Sequence, residues 1–157
     1  MEKILEIRGL VIEYKTKAST VQAVNGIDIT LEKGKMLGLV GETGAGKTTT
    51  ALGIMGLIPN PPGRVVGGEI LLDGENLLTK TSSEMRKIRG ARVSMIFQDP
   101  MTDRNPIMTV GDQISEVIRL HEKLSVHEAA AKAQEMVELG GIPGKRYGGY
   151  PHQCSGG

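Results

Sequence analysis

The sequence predicts an α/β protein in which a glycine-rich loop joins a buried strand to a helix. The apolar run 36–40 ends at Gly41, as expected for a buried strand of a parallel sheet. A helical pattern then runs from Gly46 to Leu57. Over about the first hundred residues the pattern is strand-rich, and over about the next forty it is helical. Together these three observations favour a sheet with a helical segment after it.

Two strands are predicted before the loop. Residues 4–11 alternate loosely between apolar and polar side chains, and residues 27–31 read Ile-Asp-Ile-Thr-Leu, a pattern typical of a half-buried strand. The polar stretch 15–20 separates the two, and a turn is predicted at 33–35 because it reads Lys-Gly-Lys.

Two further strands are predicted after the first helix. The Pro-Asn-Pro-Pro-Gly segment 59–63 ends that helix, because proline cannot continue it. Residues 69–72 form a strand closed by a turn at Asp73 and Gly74. The apolar run 93–97 predicts another strand, which leads into Gln98.

Capping-box patterns mark the start of two helices. Thr81 and Glu84 open a short basic helix that runs to Ile88, and Ser125 and Glu128 open a later helix. Apolar stripes at helical spacing accompany the region after residue 109, namely Val110, Ile114, Val117 and Ile118 in one helix and Val126, Ala129, Ala130, Ala133 and Val137 in the next.

Composition limits the class of protein. A chain of 157 residues supports one domain with one core. A net charge of +1 and 3% aromatic residues argue against a nucleic-acid partner. The single cysteine, Cys154, excludes an internal disulfide. The sequence has no apolar run of the roughly 18 residues that span a membrane, and its start lacks a signal-peptide cleavage site. We therefore expect a soluble, cytosolic chain.

Residues 41–48 read Gly-Glu-Thr-Gly-Ala-Gly-Lys-Thr and match the phosphate-binding pattern G-x-x-x-x-G-K-[ST]. Glycines let successive backbone N–H groups point at phosphate oxygens, and the helix that follows adds the positive end of its dipole. Lys47 would reach the β- and γ-phosphates, and the Thr48 hydroxyl would bind Mg²⁺. The alternative is a glycine-rich turn with an incidental lysine. The predicted nucleotide ligands are Gly41, Glu42, Thr43, Gly44, Ala45, Gly46, Lys47, Thr48 and Thr49.

Four features follow one another in the order found in an ABC ATP-binding domain: the phosphate-binding loop, Gln98 in Phe-Gln-Asp-Pro, the helical segment and the terminal Ser155-Gly156-Gly157. The last of these is similar to the L-S-G-G-Q signature of that domain. The sequence therefore resembles the ATP-binding subunit of an ABC transporter. Several stretches are similar to dipeptide, oligopeptide and nickel importers, namely 56–59, 67–70, 97–102, 105–106, 108–114 and 150–153. Asp103-Arg104 and Cys154 depart from that pattern without removing a phosphate ligand.

The resemblance implies a P-loop NTPase (RecA-like) core with an N-terminal antiparallel β subdomain in 1–104, and the start of the ABC helical subdomain in 105–157. It implies that Tyr14 stacks on adenine and that Gln98 binds Mg²⁺ or its water. Gln98 and Lys47 are the catalytic candidates. Ser155, Gly156 and Gly157 would contact the γ-phosphate held by the opposite protomer. Without the resemblance, these three sites read as a strand aromatic, a surface glutamine and a flexible tail.

The resemblance also implies ATP and Mg²⁺ as cofactors, and peptide or nickel uptake as the function. Its partners would be a second, identical or related ATP-binding subunit placed head-to-tail and transmembrane permease subunits, on the cytoplasmic face of the membrane. The Walker B aspartate, the adjacent glutamate and the switch histidine would lie beyond Gly157, so the C-terminal half of the domain is expected to be missing, through a fragment or a truncated gene.

Three functions stay open at this point. An ATPase is the first, a module that binds ATP without hydrolysing it is the second, and a soluble ABC-type protein of repair or translation is the third. The stretch 105–114 and the lack of a basic excess count against the third. For the chain as given, we expect nucleotide binding with little or no turnover.

Overall fold

A computed structural model of the chain describes residues 2–98 and 104–154. The chain divides into two compact units, residues 1–89 and 90–157. The predicted division after residue 104 stays a prediction.

A four-stranded antiparallel sheet forms the first unit, with the strand order β2-β1-β3-β4. The strands are β1 Lys3–Lys15, β2 Thr20–Glu32, β3 Gly63–Leu72 and β4 Glu75–Asn76. Each of the predicted strands 4–11, 27–31 and 69–72 is confirmed and lies within a longer observed strand. The predicted turn at Asp73 and Gly74 is also confirmed, since Leu72 pairs with Glu75 across it.

One face of this sheet carries the core of the first unit. Ile7, Leu10, Ile12 and Ile70 are fully buried. Helix α1, Lys47–Met55, lies close to this face, because a Cβ built on Gly53 would stand 3.0 Å from Cδ1 of Ile12. A larger residue at position 53 would push the helix away from the sheet.

Helix α2, Ser82–Ile88, completes the first unit after a short 3-10 turn at Leu77–Thr79. The predicted capping box is present: the amide of Glu84 donates to Oγ1 of Thr81, and the amide of Thr81 donates to Oε2 of Glu84. Met85 and Ile88 are the buried residues of this helix.

Two of the predicted strands, 36–40 and 93–97, are wrong. Met36 is 98% exposed, and Val40 and Ile96 are each 91% exposed. A buried parallel strand takes both its hydrogen bonds and its apolar cover from neighbouring strands. Within 2–98 and 104–154 the sheet contains β1 to β4 alone, so neither apolar run has a strand beside it.

The second unit contains helices α3, Val110–His121, and α4, Val126–Leu139, followed by 3-10 turns at Gly144–Arg146 and Pro151–Gln153. The capping box predicted for α4 is confirmed. In the predicted stripe of α4, Ala129, Ala133 and Val137 are buried, whereas Val126, the first residue of the helix, is 65% exposed.

The predicted stripe of α3 lines an apolar groove of about 490 Å³ in the second unit, together with residues of α4. Val117 on this stripe is 50% exposed, so the groove is open to solvent. None of the helices in the described residues has the length and apolar character needed to cross a membrane.

Candidate functional site

Helix α1 begins differently from the other helices. Side chains of Thr81, Thr109 and Ser125 cap α2, α3 and α4, whereas α1 begins at Gly46 with no side-chain cap. The first amides of a helix have no partner within the helix. At α1 they are therefore available to an anion, which the positive end of the helix dipole also favours.

The backbone at Gly46 explains why the loop needs glycine there. Its φ is 86°, in the left-handed region, and a Cβ at this position would overlap the carbonyl oxygen of Ala23 on β2. Only glycine meets both conditions without strain. The start of α1 is thus seated directly against β2.

Lys47 closes the glycine-rich loop. Its Nζ donates to the carbonyl oxygen of Gly41 at 2.6 Å and to that of Glu42 at 2.7 Å. The amide of Ala45 donates to the same Glu42 carbonyl at 3.1 Å. The lysine ammonium therefore lies inside the curl of the loop, while residues 41–45 remain exposed.

The threonines that follow are in three different environments. Thr48 is exposed, Thr49 is half-buried, and Thr50 is 3% exposed. Oγ1 of Thr50 donates to the carbonyl oxygen of Gly46 at 2.8 Å, so this hydroxyl is used within the helix. The Thr48 hydroxyl is the one open to solvent, where a metal ion with its phosphate and water ligands has room.

A cavity of about 290 Å³ lies beside the loop, between it and β2. Its lining is formed by Gln22, Ala23, Val24, Asn25, Ile27, Leu39, Val40, Ala45, Gly46, Lys47 and Thr50. Of the described residues, Lys47 is the one charged member of this lining. Sequence reasoning missed the contribution of β2, because the contact depends on how the strand and the loop pack and leaves no local pattern.

Of the predicted site residues outside the loop, the structure describes Tyr14 and Gln98. Tyr14 is half-buried on β1, opposite Val21, and a Cβ built on Gly63 would lie 2.9 Å from its Cε1. It is not part of the lining of the loop cavity. Gln98 is exposed and belongs to the second unit. Residues 155–157 lie outside the described residues. The roles of Tyr14, Gln98, Ser155, Gly156 and Gly157 stay predictions.

The described residues contain no group of three or more His, Cys, Asp or Glu side chains that could hold a metal ion by themselves. A Mg²⁺ ion that is bound with nucleotide phosphates needs few protein ligands, because phosphates and waters fill most of its positions. One threonine hydroxyl at the loop is compatible with that arrangement.

Known proteins resemble this chain in sequence and in fold. The sequence model of a family described as ABC transporter matches residues 24–157. The chain is 48% identical over 157 residues to the oligopeptide transport ATP-binding protein OppD of Bacillus subtilis, which covers 99% of this chain and 44% of the relative. It is 46% identical to the dipeptide transport ATP-binding protein DppD of the same organism, over 100% of this chain and 48% of the relative.

A third relative is a probable peptide ABC transporter ATP-binding protein of Sinorhizobium fredii, 44% identical over 98% of this chain and 47% of the relative. The chain thus spans about half the length of these curated relatives. Among solved structures, the dimeric ATP-binding cassette MJ0796 bound to ADP and Pi matches with a TM-score of 0.82 and 19% identity, over 96% of this chain and 63% of that one. This likeness confirms the predicted fold class, a partial ATP-binding cassette.

Proposed function

The chain belongs to the ABC transporter family, and from that premise we propose that it provides the nucleotide-binding loop of an importer's ATP-binding subunit. One observation carries the proposal: Lys47 stands inside a glycine-rich loop that ends at the uncapped start of α1. A fixed cation and unpaired helix amides at one point form a site for a polyphosphate.

The residues of the loop fit ATP and Mg²⁺. Lys47 would exchange its bonds to the Gly41 and Glu42 carbonyls for bonds to phosphate oxygens, which carry more negative charge. The amides at the start of α1 would donate to the same phosphates, and the exposed Thr48 hydroxyl would hold Mg²⁺. When bound, the metal ion neutralises charge on the phosphates.

The transported solute and the partners extend this proposal. The three relatives are named for oligopeptide, dipeptide and peptide transport, which supports peptides as the solute of the whole protein. Nickel, the other solute predicted from the sequence, is not part of those names. The dimeric cassette supports a second ATP-binding subunit as one partner. The transport named in the relatives supports permease subunits, at the cytoplasmic face of the membrane, as the others.

Binding without hydrolysis is the second candidate for this chain. Among the residues that the structure describes, those lining the loop cavity include neither a carboxylate nor an imidazole that could orient a water molecule. Phosphoryl transfer depends on positioning the nucleophile as well as on stabilising charge. The lining favours a site that binds ATP in its ground state.

Calorimetry with ATP and Mg²⁺ on the full chain tests the proposal. We expect binding by the wild type and loss of most of the affinity in Lys47→Ala, because the alanine leaves phosphate charge uncompensated. Lys35→Ala is the matched control, since it removes an exposed lysine of the same unit outside the loop. Equal affinities of wild type and Lys47→Ala would contradict the proposed site.

A further inference from the structure

We propose that Arg89 is a positioning residue for the nucleotide site, because it holds the far end of the helix that begins at Lys47. Nε of Arg89 donates to the carbonyl oxygen of Met55 at 2.7 Å, and its Nη2 donates to that of Gly56 at 2.9 Å. The inference rests on the proposed nucleotide site and adds to it a residue from outside the phosphate-binding pattern.

The hydrogen bonds at the end of α1 explain what Arg89 supplies. The amides of Gly56 and Leu57 turn back to the carbonyls of Gly53 at 3.1 Å and Leu52 at 2.9 Å, which closes the helix in the usual way. The last carbonyls of a helix otherwise lack donors. Arg89 provides donors for the carbonyls of Met55, the last residue of α1, and of Gly56, which follows it. It also brings a cation to the negative end of the dipole of α1, whose own last turn has no basic residue.

Arg89 is itself held firmly. It directly follows α2, and its amide donates to the carbonyl of Met85 at 2.9 Å. Met85 is 5% exposed and packs against the end of α1, since a Cβ built on Gly56 would lie 3.3 Å from Cε of Met85. A buried anchor therefore carries the guanidinium, so its two bonds fix the end of α1 relative to α2.

The nine residues of α1 make a short, stiff rod of about 13 Å. It rests on the sheet at Gly53, the seventh of its nine residues, where a built Cβ lies 3.0 Å from Cδ1 of Ile12. Because this contact lies near the C-terminal end, a small displacement of that end produces a larger displacement of the N-terminal end. Loss of the Arg89 bonds would leave the contact of Gly46 with β2 as the support of the N-terminal end, and the amides at Lys47 would be held less precisely toward the phosphates.

The test uses three variants of the full chain and measures ATP·Mg²⁺ affinity at a temperature where circular dichroism shows each to be folded. Arg89→Met keeps the apolar stem and removes both donors, and we expect about three- to ten-fold weaker binding. Arg89→Lys keeps the charge with poorer geometry, and we expect a smaller loss. Arg86→Met removes the same charge from an exposed position of α2, and we expect less than about a two-fold change.

The outcomes separate this inference from the proposed function. If Arg89→Met is folded, has a lower melting temperature and binds ATP with wild-type affinity, Arg89 is purely structural and the inference is overturned. In that case, loss of binding in Lys47→Ala would still support the proposed nucleotide site. A wild type that binds no ATP would overturn both. If Arg89→Met does not fold, Arg89→Lys decides: wild-type affinity overturns the inference, and weaker binding at full folding supports it.

Discussion

The ammonium of Lys47 donates to the carbonyl oxygen of Gly41 at 2.6 Å, across the loop that these two residues enclose. A lysine in this position is satisfied by the backbone instead of by solvent. The same group is the cation that a polyphosphate would meet first. At the proposed site, phosphate oxygens would compete with this carbonyl, and we expect them to displace it because a charged acceptor makes the stronger hydrogen bond.

Comparison of alanine variants at Gly44 and Gly46 separates the cost of backbone strain from the cost of steric overlap. Gly44 and Gly46 have nearly the same φ, 84° and 86°, but a Cβ on Gly44 meets nothing within 4 Å, whereas one on Gly46 overlaps the Ala23 carbonyl. We expect Gly44→Ala to cost about 1–2 kcal/mol of unfolding free energy and Gly46→Ala about 2–5 kcal/mol. Urea denaturation of both variants measures the difference, and equal costs would show that the contact with Ala23 is not tight.

The start of α4 should depend on pH through Glu128. Oγ of Ser125 donates to the Glu128 carboxylate at 2.6 Å and the Ser125 amide donates at 2.9 Å, and these bonds hold the pKa of Glu128 below its ordinary value. Because the folded pKa is the lower one, the stabilisation is present above the unfolded pKa and is lost as pH falls through the folded pKa.

NMR titration of the Glu128 carboxyl and the Ser125 amide measures that pKa directly. We expect a midpoint below about 4.3, the ordinary glutamate value. Glu128→Gln keeps an acceptor without a titrating group, so the Ser125 amide should lose its acid-dependent shift in that variant. A Glu128 midpoint at or above the ordinary value would contradict the capping box as the cause.

Tyr147 should stabilise the second unit through α3. Its hydroxyl lies 2.9 Å from Oγ of Ser115, and its ring covers Gly111, where a Cβ would overlap it. We expect Tyr147→Phe to cost about 1 kcal/mol and Gly111→Ala about 1–3 kcal/mol, measured by thermal unfolding. The control is Tyr150→Phe, because Tyr150 is 40% exposed, and a change within about 0.5 kcal/mol is expected there. If Tyr150→Phe is as destabilised as Tyr147→Phe, the contact of the Tyr147 hydroxyl with Ser115 is not the cause of the loss.

The helix starts that the sequence predicted correctly depend on local features. The capping boxes at Thr81 and Ser125 need residues three positions apart, and the phosphate-binding pattern contains its own turn, lysine and helix start. The wrongly predicted strand 36–40 needs partners that no local pattern can supply, and Val40 is exposed as a result. The contacts of Gly46 with Ala23 and of Arg89 with α1 are likewise tertiary, and no local pattern indicates them.

Hydrolysis by this chain should be slow or absent even where ATP binds. Lys47 and Thr48 would hold phosphates and Mg²⁺, but neither would orient a water molecule for in-line attack. In the described part of the chain, the cavity beside them is lined without a carboxylate. Phosphate release by the 157-residue chain at saturating ATP should therefore stay far below the enzyme range of about 1–1,000 per second. Lys47→Ala is the background control, because any turnover that survives it comes from a contaminant. Turnover within the enzyme range that Lys47→Ala abolishes would show that residues of this chain activate the water, and would overturn binding without hydrolysis.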